Sequence, residues 1–167
     1  MLSIRYKSPA EKEEIQTTLS PYAVFYAHRG WYVIGYAGLY GEIRTFKSIR
    51  ILQMEKMKET FSRLAGFSLS DYLGNAWRLL REPGPDQEVV LRFTPMVAHN
   101  VAETRWHKTQ ENRWLPGGFL EVRFQVSGLR EILFWILGYG AEVEVLQPPE
   151  LRQMVCQHAR RMLDYYR

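Results

Sequence analysis

The chain has one cysteine, Cys156, among 167 residues. An intramolecular disulfide is therefore excluded, and the expectation is a reducing compartment with the sulfur acting as a small buried hydrophobe. No run approaches the roughly 18 apolar residues that a membrane span needs. The opening MLSIRYKSPAEKEE lacks the apolar stretch of a signal peptide, so a cytoplasmic location is expected. A glycine-rich phosphate loop is also lacking, and neither His28 nor His158 has a nucleophile or acid in view to complete a catalytic set. His99, Glu103 and His107 are spaced by four, which on one continuous helix would align three metal ligands. A helix opening near Pro95 is expected to end by Arg105, however, and to leave His107 outside. The expectation is a non-enzymatic chain with no cofactor and no metal.

What the chain does have is unevenly placed charge. The net value is +4. Residues 1–66 hold ten Lys/Arg against six Asp/Glu, whereas residues 67–167 hold twelve of each. A field of one sign confined to the first part favours anionic partners such as nucleic acid, with plain solubility as the simpler reading. A composition of 46% hydrophobic and 24% charged residues is that of a folded protein able to bury a core.

The first part is rich in short aromatic and β-branched runs: YAVFYAH (22–28), WYVIGY (31–36) and IRTFKSIRI (43–51). Arg29-Gly30 and the turn from Gly38 to Gly41 punctuate them as antiparallel hairpins, and residues 2–6 add a further strand. Met54, Met57, Phe61 and Leu64 have helical spacing, but Gly66, Gly74 and Pro83-Gly84-Pro85 argue for a connecting segment. That segment is expected to carry one short helix capped by Ser68 or Ser70. After Pro85 the pattern changes. EVVLRF (88–93) reads as a strand, and Thr94-Pro95 opens a helix. Strands follow at 106–114 and 119–126, then an apolar helix capped by Ser127 and ended by Gly138 and Gly140. A strand at 141–147 precedes a last helix opened by Pro148-Pro149-Glu150. The order β-α-β-β-α-β predicts an antiparallel ferredoxin-like sandwich with two helices on one face and an added C-terminal helix.

Trp31-Tyr32-Val33, followed by Gly35-Tyr36, Gly41-Glu42, Arg44-Thr45-Phe46 and Arg50-Ile51, resembles the WYL domain of bacterial regulators, as do Ile4-Arg5-Tyr6 and Ser20-Pro21-Tyr22 upstream. The second half is similar to the C-terminal extension that accompanies WYL domains. The matching pieces are Leu91-Arg92-Phe93, Trp106-His107, Gln110, Pro116-Gly117-Gly118, Trp135-Ile136-Leu137 with Gly140, and Pro149-Glu150-Leu151. Val33 stands where the motif has leucine. The resemblance implies a small Sm-like, SH3-type β-barrel at 1–56; with the linker at 57–87 and the ferredoxin-like domain at 88–167 read from the pattern above, the expectation is an α+β protein of three parts. It also implies the sensor role of a transcription regulator, in which an N-terminal helix-turn-helix reads the operator and the barrel binds an anionic effector. No helix-turn-helix precedes Ile4, so the chain is expected to be an excised fragment or a stand-alone sensor.

Side-chain chemistry points the same way. Arginines grip phosphates bidentately and tyrosine rings give unpaired bases a face to stack on. The candidate binding residues are Arg5, Tyr32, Tyr36, Arg44 and Arg50, and the candidate ligand is single-stranded nucleic acid or a nucleotide-type anion. On regular strands Tyr32 and Tyr36 lie opposite Trp31 and Val33, and Arg44 shares a face with Phe46 and Arg50. Trp31, Val33 and Phe46 are expected in the barrel core. A second class of function remains open, a protein-interaction module without a nucleic-acid ligand. In either case a homodimer is expected, with the neutral C-terminal part as its interface.

Overall fold

Strand β1 (Leu2–Lys7) sets the alternation of the first sheet: Ile4 and Tyr6 are buried while Arg5 and Lys7 between them are exposed. The structure is a computed structural model describing residues 1–8 and 13–167, and it divides into units Met1–Tyr72 and Leu73–Arg167. In the first unit β2 (Glu14–Ala27), β3 (Gly30–Ala37), β4 (Glu42–Lys47) and β5 (Ile51–Lys56) join β1 in an antiparallel sheet of order β4-β3-β2-β1-β5. Ile4, Tyr6, Leu19, Ala37 and Phe46 form its core. Tyr6 meets Phe46 edge-on at 5.1 Å, and its hydroxyl accepts the Lys47 N–H at 3.2 Å. Tyr6 belongs to β1 and Lys47 to β4, with β2 and β3 between them in the ladder, so the sheet must curl for the two to touch. The curl stops short of a closed barrel. β4 and β5 are the two edges, and β5 pairs with β1 only.

Several expected boundaries move. The run 43–51 is not one strand, because a 3-10 turn at Ser48–Arg50 separates β4 from β5. Met54 lies in β5 rather than on a helix. Strand β2 starts eight residues before the expected Tyr22. Its register with β3 shifts between Pro21 and Ala23, leaving Tyr22 in a bulge. The break in the ladder suits the adjacent Pro21, which has no N–H to give. Short helix α1 (Leu69–Leu73) follows, and the Ser68 hydroxyl accepts the Asp71 N–H at 3.4 Å as its cap.

The second unit runs β6 (Gln87–Phe93), α2 (Pro95–Glu103), β7 (Glu111–Trp114), β8 (Leu120–Val126), α3 (Arg130–Leu137), β9 (Val143–Gln147) and α4 (Pro149–Asp164). Its four-stranded antiparallel sheet has the order β7-β8-β6-β9. Val89, Leu91 and Phe93 on β6 stand beside Phe124, Val122 and Leu120 on β8. Ala98 and Val101 of α2 and Ile132, Trp135 and Ile136 of α3 bury against that same face. The opposite face is charged. There the Glu121 carboxylate, nearly buried, takes Arg113 at 2.7 Å and Arg123 at 3.2 Å, and the Arg113 hydrogen bond holds its carboxyl below the usual range.

Ser127 does not cap α3. That helix starts at Arg130, whose N–H is taken by Glu82 at 3.1 Å, while the Ser127 N–H donates to the Asn75 carbonyl at 2.7 Å. Glu131 accepts the N–H groups of Arg78, Leu79 and Leu80 at 2.7, 2.9 and 3.1 Å. The stretch leading into β6 is thereby fastened to α3, and Trp77 enters the core. Cys156 is exposed, because α4 packs inward through Leu151, Met154 and Val155 and the thiol lies off that side. Residues 106–110 are not strand. Gln110 holds them as a loop by accepting the Trp106 N–H at 2.8 Å and donating to the Thr104 carbonyl at 3.1 Å. Among the described residues no helix is long and apolar enough to cross a membrane.

His107 follows α2 as a loop residue and turns its imidazole inward, stacked 5.5 Å from Trp77, with Nδ1 2.8 Å from the Thr109 hydroxyl. Burial holds its pKa below the ordinary 6.5, and a hydrogen bond to the Ala76 backbone offsets this only in part. The unfolded chain then takes up the proton first as pH falls. Stability from neutral His107 should be fully present above pH 6.5 and decline on acidification below that value. Urea midpoints measured across this range should fall for the wild type, and His107→Asn should flatten that limb. Equal slopes for the two proteins would remove the assignment.

Candidate functional site

The five residues singled out from the sequence are all in the first unit, but they do not form one strip. Arg5 lies opposite Gln16 on β2 and Gln53 on β5. It lines a shallow cleft of about 210 Å³ with Ser3, Gln16, Gln53 and Glu55 and pairs with Glu14 at 3.6 Å. Tyr36 stands across from Ser20, which alternates down β2 with Gln16, so Tyr36 shares the face of Arg5. Tyr32 shares it too, four residues back along β3, and both tyrosines lie opposite Val33 as the strand period predicts. Tyr32 is half-buried, with its ring stacked on Phe25 at 5.8 Å and Lys47 Nζ 5.8 Å from its centre. Tyr36 is more open, at 42% exposure.

Arg44 projects from the other face, beside Phe46. Its guanidinium lies 3.6 Å over the Tyr40 ring and pairs with Glu42 at 2.7 Å. Arg50 does not join Arg44 on that face, since it sits in the 3-10 turn where the chain leaves β4. It is exposed and has no ion-pair partner among the described residues.

Trp31 departs furthest from expectation. It is not core but 56% exposed, edge-on at 5.4 Å to Tyr26, its cross-strand partner, which is 62% exposed. The reason is length. β1 pairs with β2 only as far as Leu19, and β4 meets β3 no nearer the turn than Tyr32. At Trp31 the β2–β3 hairpin has outrun its neighbours and has nothing to pack against. His28 and Arg29 close it with φ of 44° and 61°, the left-handed pair that a two-residue hairpin turn needs and that side chains adopt at a cost. Size and apolarity suggested burial for Trp31. Only the pairing of β1 with the polar start of β2, which leaves the hairpin tip uncovered, would have corrected it.

Residues 1–56 match the WYL domain model and residues 85–163 match the WCX domain model. The chain carries a WYL domain followed by a WCX domain. The WYL domain is thus the curled first sheet, and the WCX domain is most of the second unit. Among solved structures the chain is similar to proteasome accessory factor B/C (PafBC) of Arthrobacter aurescens, at 22% identity over 92% of this chain and 23% of that one, with a TM-score of 0.36. It is also similar to a CRISPR Cas-related protein, at 10% identity over 99% of this chain and 47% of that one, with a TM-score of 0.59. The second likeness shows a shared fold. The chain spans less than half the length of either. No curated protein matches it.

The WYL domain also concentrates its charge. No aspartate or glutamate occurs from Ile15 to Gly41, or from Ile43 to Met54, so the β2–β3 hairpin beyond Glu14 and the 3-10 turn at Ser48–Arg50 lie in acid-free chain. Among the described residues no three His, Cys, Asp or Glu side chains are grouped to hold a metal. α2 ends at Glu103, which separates His107 from His99 and Glu103.

Proposed function

We propose that this chain is the sensing module of a transcriptional regulator, and that its WYL domain binds a negatively charged effector, with single-stranded nucleic acid favoured. Arg5, Tyr32, Tyr36, Arg44 and Arg50 are the residues proposed to contact it. The observation that carries the reading is the coincidence of exposed aromatic rings with acid-free, net basic chain in one unit. Cationic side chains release counterions from phosphates and rings receive unpaired bases, a combination suited to single strands more than to duplexes. We read the curled sheet as Sm-like. We read the WCX domain as ferredoxin-like, because β9-β6-β8-β7 with two helices on one face fits that scheme.

Fluorescence anisotropy with short single-stranded and duplex oligonucleotides at several salt concentrations tests the reading. Affinity for the single strand should fall by about 0.7 log units per tenfold rise in salt for each phosphate neutralised. Arg44→Ala or Arg50→Ala should flatten that dependence by roughly one contact each. Tyr36→Ala should cost roughly 1–3 kcal/mol without altering the slope. Binding by both arginine variants equal to wild type, or no binding by wild type, would defeat the proposal. An interaction module would then be favoured, because the end of α4 leaves Met162, Leu163, Tyr165 and Tyr166 exposed. Because a dimeric mass is expected in either case, the signature of that reading would be a dimer in which the neighbouring subunit covers the basic and aromatic residues of the WYL domain.

A further inference from the structure

We infer that the tip of the β2–β3 hairpin is a base-stacking platform, with Trp31 and Tyr26 receiving unpaired bases and Arg29 and Arg50 meeting the flanking phosphates. The inference rests on the effector reading above, keeps Arg50 from it, and relocates its centre to Trp31 and Tyr26, which that reading leaves out.

Ring availability is the first argument. Tyr32 already has Phe25 stacked on it at an interplanar angle of 25° and Lys47 nearby. Trp31 and Tyr26 meet at 69°. An edge-on contact uses the edge of one ring and one face of the other, so each ring keeps at least one face free. Both are more than half exposed, and a flat, uncovered aromatic pair is the surface on which bases stack without regard to sequence.

Charge is the second. Arg5 and Arg44 would have to give up Glu14 and Glu42 before gripping a phosphate. Arg29 and Arg50 have no ion-pair partner among the described residues. Arg29 occupies the hairpin turn itself, and the 3-10 turn bearing Arg50 begins just past Lys47, the residue opposite Tyr32. Arg29 thus adjoins the aromatic pair in the turn, and Arg50 follows the end of β4 nearest that tip. Arg29 is held there in a left-handed conformation (φ 61°) where glycine would be easier; strain kept at an exposed tip is a reason to look for function. A duplex, whose bases are already stacked and paired, offers nothing for the rings.

The test compares four ligands by anisotropy: an oligothymidylate, its RNA counterpart, an abasic strand of equal length and a duplex. Wild type should bind the two base-bearing strands more tightly than the abasic one, and the DNA and RNA arms identify which source of bases is preferred. Trp31→Leu and Tyr26→Ala should weaken binding of the base-bearing strand roughly 5- to 150-fold and erase its advantage over the abasic strand. Trp31→Phe should restore most of that advantage, which a merely structural role would not do. Arg29→Ala and Arg50→Ala should weaken both strands alike and flatten the salt dependence. If Trp31→Leu and Tyr26→Ala keep the full preference for bases, or wild type shows no such preference, the platform is overturned while the effector reading stands. If wild type binds no strand at all, both fall.

Discussion

Gly35→Ala should unfold the first sheet. A methyl on Gly35 would sit 2.2 Å from the Ser20 carbonyl oxygen and 2.9 Å from the Pro21 Cα, both backbone atoms of β2 that cannot swing aside. Relief would require parting β2 from β3 at the bulge, with the central ladder of the WYL domain lost around it. The cost should be about 3 kcal/mol or more, at the upper end of overpacking effects. Gly38→Ala makes a useful contrast. Its methyl would also meet an atom at 2.2 Å, but that atom is the Thr18 hydroxyl, which can rotate away at small cost. An amide correlation spectrum in which β1–β5 lose dispersion for Gly35→Ala and keep it for Gly38→Ala is the expected outcome. A well-dispersed Gly35→Ala spectrum would contradict the geometry.

In the WCX domain the comparable position is Phe124. Its ring is fully buried, with Trp77 at 5.0 Å, Trp135 at 5.7 Å and His107 at 6.4 Å around it. Phe124→Ala would remove the shared neighbour of three rings drawn from the loop before β6, from α3 and from the loop after α2. Truncating a buried phenylalanine costs about 3–5 kcal/mol, a large share of the 5–15 kcal/mol that holds a typical domain together. The urea midpoint of this unit should drop accordingly. Phe124→Leu, which keeps most of the volume, should recover more than half of the loss. Equal stability of Phe124→Ala and wild type would mean that the rings repack without it.

Much of this arrangement was legible in the residues. The order β-α-β-β-α-β announced an antiparallel second sheet, and the alternation of β8, with Leu120, Val122, Phe124 and Val126 set between Glu121, Arg123 and Gln125, marks its apolar face. The period of two in β3 placed Tyr32 and Tyr36 opposite Val33 correctly. The first half of β2 was not legible, because Gln16, Thr17 and Thr18 carry no apolar signal. Thr17 is nevertheless buried, and its hydroxyl accepts the Leu39 N–H at 3.0 Å, so its role is to anchor a turn rather than to fill a core. Missing that half-strand hid where β1 pairs: β1 takes Glu14–Leu19 and leaves the hairpin tip uncovered, which is why the exposure of Trp31 was not legible. Cys156 failed for a related reason: composition says how often a residue type is buried, while the rotation of α4 decides each case. The pairing of Arg44 with Glu42 two residues away was present in the sequence, but whether two neighbours on a strand reach each other depends on how the chain curls.

The grip of Glu131 and Glu82 on the chain around α3 bears on how such modules are inherited. The recognisable WCX segment begins at residue 85, yet the second unit begins at Leu73, and Trp77 lies in its core. Glu82, also ahead of the match, meets the N-terminus of α3. A recombination event that cut at the edge of the recognisable family would strand the Glu131 carboxylate and open the aromatic core. One that cut ahead of Leu73 would transfer a finished part. Exchange among regulators should therefore carry this short, weakly patterned lead-in along with the domain, as cargo that its own residues do not advertise.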